Sequence, residues 1–166
     1  MKTLVTYFSQ TGKTRQVAEA IFEAIPEGKE IKPFDEVESL DDFGLTFVGF
    51  PIIAFGPAPA GKDFLAQKAN GKRIALFITH AAPEGQEGIG EWLDRCREAA
   101  SQSELVGMFD CMGELSKEIA DYLLKSEDPM MRSFGERRGE TLGQPDSTRL
   151  QKARDFDKEM IQKVKA

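Results

Sequence analysis

The stretch Leu4-Val5-Thr6-Tyr7-Phe8-Ser9-Gln10-Thr11-Gly12-Lys13-Thr14 decides the fold. Its first five residues are apolar, β-branched or aromatic with no turn former among them, the composition of a buried strand. Ser9 to Thr14 is small, polar and contains Gly12, so the strand ends in a loop. From Lys13 to Ile25 the period changes. Val17, Ala18, Ile21, Phe22 and Ile25 form one apolar stripe, which predicts a helix that Pro26 and Gly28 stop. The loop also carries chemistry. Three hydroxyls (Ser9, Thr11, Thr14) and a glycine converge on a helix N-terminus, whose free N–H groups and positive dipole end suit a phosphate. Helix capping by Ser9, Thr11 or Thr14 is the competing use of those hydroxyls, but three of them with a glycine exceed what a cap needs.

Outward from this stretch, strands and helices alternate. Lys29 to Phe34 is a weaker, alternating strand suited to a sheet edge, and Leu45 to Phe50 is a buried one. Pro51 to Gly61 reads as a loop and Lys62 to Ala69 as a short helix. Arg73 to Thr79 is the clearest strand of all, and His80 to Gly88 is a polar loop. The next helix carries Ile89, Trp92, Leu93, Cys96, Ala99 and Ala100 on one face. Leu105 to Cys111 is the fifth strand, Glu114 to Lys125 a helix, Ser126 to Ser147 irregular, and Thr148 to Val164 the final helix. This order predicts an α/β fold: a five-stranded parallel sheet with helices on both faces, a three-layer α-β-α sandwich with right-handed crossovers. Residues 1–166 read as one domain. The span 112–147 is too long for a plain connection and reads as an insert, either functional or a solvated excursion.

Composition narrows the function. Lys and Arg number 22 against 28 Asp and Glu, a net charge of -6, which speaks against nucleic-acid binding. No apolar run approaches the roughly 20 residues that span a bilayer. The start has no apolar core or small-residue cleavage site of an export signal, so a cytoplasmic protein is expected. Cys96 and Cys111 have no Cys-x-x-Cys spacing, which leaves no support for a metal site or a redox dithiol; both read as small core residues.

Two phosphate motifs fail on the first loop. Gly12-Lys13-Thr14 matches the end of a Walker A loop, but its first glycine would fall at Tyr7, inside the strand. The dinucleotide fingerprint needs three spaced glycines and finds one. A compact hydroxyl cradle for a terminal monophosphate remains. Phe8-Ser9-Gln10-Thr11-Gly12-Lys13-Thr14, closing the first strand of a five-stranded α/β chain, resembles the FMN-phosphate signature of the flavodoxin family. The likeness runs nearly the whole chain in length and element order.

The resemblance implies FMN as cofactor, strand order 2-1-3-4-5, and a pocket where the loops after the first, third and fourth strands meet. Ser9, Gln10, Thr11, Gly12, Lys13 and Thr14 would hold the phosphate. Pro51, Ile52, Ile53, Ala54, Phe55 and Gly56 would line the flavin site, with Ile53, Ala54 or Phe55 covering the inner face of the isoalloxazine and Phe55 and Gly56 near its N5; a buried turn extending the core is the competing reading. Thr79, His80, Ala81 and Ala82 would meet the pyrimidine edge. The family commonly stacks a tyrosine from this last loop on the outer ring face, and this chain has no Tyr, Trp or Phe there. His80 is the one planar side chain in that loop, and it either stacks or is hydrogen-bonded to backbone. Trp92, on the apolar stripe of the next helix, reads as core.

Three functions stand on these readings. The first is electron transfer through bound FMN to or from partner redox proteins, which needs no catalytic acid or base. The second is an FMN-dependent quinone or NAD(P)H oxidoreductase, with the insert beside the flavin and Arg132, Arg137 and Arg138 steering an anionic substrate. The third is a flavin-free phosphate-binding module. A monomer or weak homodimer, with neither nucleic acid nor membrane as partner, is expected.

Overall fold

In the computed structural model, which describes residues 1–166, Thr3–Tyr7 form strand β1 and Lys13–Ala24 form helix α1. The chain continues through β2 (Lys29–Pro33), a 3-10 turn (Phe34–Glu36), β3 (Leu45–Ile53), β4 (Gly56–Pro57) and α2 (Pro59–Lys68). Then come β5 (Arg73–His80), α3 (Ile89–Ala99) and β6 (Glu104–Met112). Helices α4 (Lys117–Leu124) and α5 (Pro129–Glu136), a 3-10 turn (Arg138–Thr141) and α6 (Ser147–Lys165) complete it.

Five parallel strands lie in the order β2-β1-β3-β5-β6, with β2 and β6 at the edges. Counted among the parallel strands alone, this is the expected order 2-1-3-4-5. The sixth strand, β4, is two residues long and pairs antiparallel with the end of β3. It was not legible because two residues carry no period.

Alternation along the strands builds two cores. Val5, Phe47, Ala75 and Phe77 face α1 and α6, where they meet Val17, Ile21, Phe156 and Met160. Leu4, Val48, Phe50, Ile74 and Leu76 face α2 and α3, against Phe64, Leu65, Cys96 and Ala100. Both faces of the sheet are thus covered, which is why β3 and β5 read as continuous apolar runs. Cys96 and Cys111 are buried and unpaired, and burial pushes both thiols up to about 12. They pack as core residues and stay protonated. Gly49 on β3 lies under the Phe77 ring, which occupies the space a Cβ would need.

Several boundaries move. Strand β3 runs on to Ile53, and α2 starts at Pro59, inside the expected loop. Helix α4 starts later than Glu114 because Ser116 caps it, its Oγ accepting from Ile119 N–H at 3.2 Å. The largest correction is at Ser126 to Ser147, which is not irregular. Asp128 caps a helix there, accepting from Met130 N–H at 2.9 Å, with Pro129 in the first helical position. The span 112–147 therefore holds a helical hairpin, α4–α5. No helix is long and apolar enough to cross a membrane.

Candidate functional site

The three loops after β1, β3 and β5 meet at the carboxyl edge of the sheet, around a cavity of about 410 Å³. Ser9, Gln10, Thr11, Lys13 and Thr14 wall it from the first loop. Pro51, Ile52, Ile53, Ala54 and Phe55 wall it from the second, and Thr79, His80 and Ala81 from the third. Three expected residues stand behind the wall. Gly12 makes the turn into α1 at φ +86°, Gly56 pairs in β4, and Ala82 is buried against Ile89 and Trp92.

At the first loop Ser9 serves the chain itself. Its Oγ accepts from Gly12 N–H at 3.0 Å and from Arg15 N–H at 3.4 Å. The backbone N–H groups of Gln10, Thr11, Lys13 and Thr14 have no acceptor in the protein. No acidic residue sits in the first turn of α1, so nothing neutralises its positive end. Thr14 is buried, and its Oγ1 lies 2.7 Å from Thr79 Oγ1, joining the first loop to the third. That bond uses one of the two hydroxyl protons and leaves the other to donate. Free N–H groups, hydroxyls and the Lys13 ammonium together make a site for an anion.

The second loop is a tight hairpin. Ile52 pairs with Pro57 and Ile53 with Gly56, so Ala54 and Phe55 are the two turn residues. Both have left-handed backbone, φ +50° and +66°, as a type I′ turn demands. Such angles are strained for side chains with a Cβ. Arg95 Nη1 holds the turn by donating to the Phe55 carbonyl at 2.7 Å. The Phe55 ring is half-buried on the cavity wall, 5.2 Å between centroids from Trp92. Trp92, expected as core, is buried and lines the cavity as well.

His80 ends β5 with its side chain 1% exposed, and its Nε2 lies 2.7 Å from Asp110 Oδ2 on β6. The partner is a carboxylate and not the backbone. The imidazole is buried in the cavity wall and held by Asp110, so it is not free to stack on a ring.

The fourth side of the cavity comes from residues the sequence reading did not assign. Gly113, Glu114, Leu115 and Ser116 follow β6; α4 adds Ile119, Tyr122 and Leu123, and α5 adds Met131 and Phe134. The signal was present in the i, i+3, i+4 spacing of Ile119, Tyr122 and Leu123. Arg132, Arg137 and Arg138, expected to steer an anion, are outside the wall. Arg137 pairs with Glu140 at 2.9 Å, Arg138 donates to the Leu115 carbonyl at 2.9 Å, and Arg132 donates to the Ser126 carbonyl at 3.3 Å.

Beside the cavity-lining loops, Glu84 of the loop after β5 pairs with Arg149 of α6. Arg149 Nε and Nη2 donate to the two Glu84 oxygens at 2.6 and 2.8 Å, and Glu84 also accepts from Met112 N–H at 3.2 Å. Burial by itself raises the Glu84 carboxyl; the Arg149 guanidinium and the backbone donors outweigh it and bring it down to about 2.

With this geometry in view, comparison with known proteins gives three results. A family model described as a flavodoxin domain matches residues 4–158. The curated flavodoxin-like domain-containing protein BilS of Clostridioides difficile (strain CD3) is 27% identical over 176 residues, covering 99% of this chain and 98% of that protein. Among solved structures, a flavodoxin from the domain Archaea aligns over 100% of both chains at 19% identity with a TM-score of 0.62. A flavoprotein in complex with FMN from Lactobacillus acidophilus NCFM aligns over 73% of this chain and 97% of its own at 19% identity, TM-score 0.56.

Proposed function

The chain belongs to the flavodoxin family, and on that premise we propose that it binds FMN in the cavity and passes electrons between that flavin and partner proteins. One observation carries the reading. The cavity is polar at one end, where four free N–H groups, two threonine hydroxyls and Lys13 gather, and apolar at the other. FMN has the same polarity, a phosphate at one end and a planar ring at the other. The similar flavoprotein from Lactobacillus acidophilus NCFM, solved with FMN, supports the reading.

Bound there, FMN would supply one- and two-electron chemistry that no side chain of this protein offers. The chain's own part is to bind, orient and seclude. Thr11, Thr14 and the free N–H groups would hold the phosphate oxygens. Ile53 and Phe55 would hold the ring and keep water from it. Buried in the wall and tied to Asp110, His80 offers no solvent-exposed acid or base, which suits a carrier. Two buried, unpaired thiols suit the reducing cytoplasm. A second reading, an FMN-dependent quinone or NAD(P)H oxidoreductase, is favoured by the apolar wall that α4 and α5 add beyond the three loops.

The test is titration with FMN and with riboflavin, which lacks the phosphate. Thr11→Ala with Thr14→Ala should weaken FMN by about 1–3 kcal/mol for each charge-assisted bond lost and leave riboflavin unchanged. Equal loss for both flavins would move the phosphate elsewhere. Reductive titration in two one-electron steps supports the carrier; a single two-electron step supports the oxidoreductase.

A further inference from the structure

We propose that the α4–α5 hairpin is a hinged lid over the planar ring of the molecule bound in the cavity, latched by Phe134. The identity of that ring, isoalloxazine, rests on the function proposed above; the lid itself rests on the hairpin.

The hairpin is a unit of its own. Helices α4 and α5 pack chiefly on each other, and α5 also meets the short Arg138–Thr141 turn. At their crossing Gly135 allows close approach, for a Cβ there would lie 2.8 Å from the Ala120 carbonyl oxygen. The two ends of the unit are fastened together. Glu114 N–H donates to the Gln144 carbonyl at 2.8 Å, Gly143 N–H to Glu114 Oε1 at 2.8 Å, and Leu115 N–H to Thr141 Oγ1 at 3.0 Å. These bonds let the hairpin swing on its root without unravelling.

Its far side meets the body differently. The Phe134 ring sits 5.7 Å from Trp92 and 6.4 Å from Phe55 between centroids. The polar contact there is one long bond, Arg137 Nη1 to Gln86 Oε1 at 3.4 Å. An apolar seat with almost no directional bonding breaks and re-forms without stranding a buried donor. Beneath it, Ile119, Leu123 and Met131 line the cavity together with Pro51–Phe55. Apolar residues from both segments line one cavity, which suits a planar aromatic ring. The hairpin thus covers the ring face that the loop after β5, with no aromatic residue, leaves bare. Tyr122 lines the mouth and is 71% exposed, as a residue at a moving edge would be.

Trp92 is the chain's single tryptophan and sits in the latch, so its fluorescence reports the lid directly. In the ligand-free chain, Phe134→Ala should shift Trp92 emission to the red and raise its quenching by acrylamide. In the FMN-loaded chain the same variant should release FMN at least tenfold faster, with Phe134→Leu in between. Hydrogen exchange on the wild type is the variant-free test. Amides of α4 and α5 should exchange together, faster than those of α3 and α6, and slow when FMN binds. Exchange in the hairpin as slow as in α3 and α6, or an unchanged Trp92 signal and FMN release in Phe134→Ala, would overturn the lid. If FMN does not bind at all, the proposed function fails, while Trp92 quenching and exchange in the ligand-free chain still decide the lid.

Discussion

Ala54 and Phe55 hold left-handed backbone angles where the β3–β4 hairpin turns against the cavity. Asn tolerates this region better than Ala, so Ala54→Asn should stabilise the protein by about 0.5–1 kcal/mol, read from urea unfolding. Asp157 is a second costly residue. It is 1% exposed, both carboxylate oxygens lack a partner, and burial pushes its carboxyl up to about 6 from 3.8. The unfolded chain ionises first as pH rises, so the folded state is penalised increasingly from pH 4 to above 6, by roughly 2–3 kcal/mol in full. Asp157→Asn should therefore flatten the stability profile over that range, with its advantage over the wild type larger at pH 8 than at pH 4. An unchanged slope would show that Asp157 finds a partner when folded. The position was legible: Asp157 lies four residues after Ala153 and three before Met160, on the inward stripe of α6. Its orphaned charge was not, since no sequence pattern reports what the neighbouring elements supply.

At the scale of elements, the strand-loop-helix passage from Leu4 to Ala24 was readable because its period changes sharply and Gly12 marks the turn. Helix α5 was not, because eight residues with Met131 and Phe134 as their cavity-facing pair give too short a stripe. Only its Asp128-Pro129 start could have announced it. Arg132, Arg137 and Arg138 lie outside the cavity wall for a related reason: they bond mainly within their own segment, with Arg137 also reaching Gln86. Two element contacts can be tested. Gly49→Ala drives a methyl into the Phe77 ring between β3 and β5 and should cost about 1–3 kcal/mol. The Glu84–Arg149 pair ties the loop after β5 to α6. With Glu84 held near 2 when folded and at 4.5 when unfolded, its contribution is complete above pH 4.5 and is lost as pH falls toward 2. Glu84→Gln should be less stable than the wild type at pH 7, with the gap closing between pH 4.5 and 2. A constant gap would deny the ion pair that role.

For the molecule as a whole, layer order and the three converging loops were legible because parallel sheets follow few topologies. The fourth wall was legible only in part: the spacing of Ile119, Tyr122 and Leu123 marks a helix, but no such rule places a helical hairpin after the last strand. If FMN binds the folded state alone, free FMN at a hundred times its dissociation constant should stabilise the chain by about 2.7 kcal/mol. That is a rise of about 5–10 °C in the unfolding midpoint for a chain of this size, visible by scanning calorimetry. The ends of the sheet bear on a different hazard. At one edge β2 reads Lys29-Glu30-Ile31-Lys32-Pro33, with Lys2 and Lys32 both paired to Glu30 at 2.7 and 2.9 Å. A foreign strand docking there would have to strip water from lysines and would meet a proline with no N–H to share. At the other edge Lys163 reaches from α6 to the Val106 carbonyl, and Glu84 takes the Met112 N–H. Both borders of the sheet are thereby made poor templates for fibrillar growth, so a crowded or partly heated solution should lose this protein to unfolding before it loses it to cross-strand polymerisation.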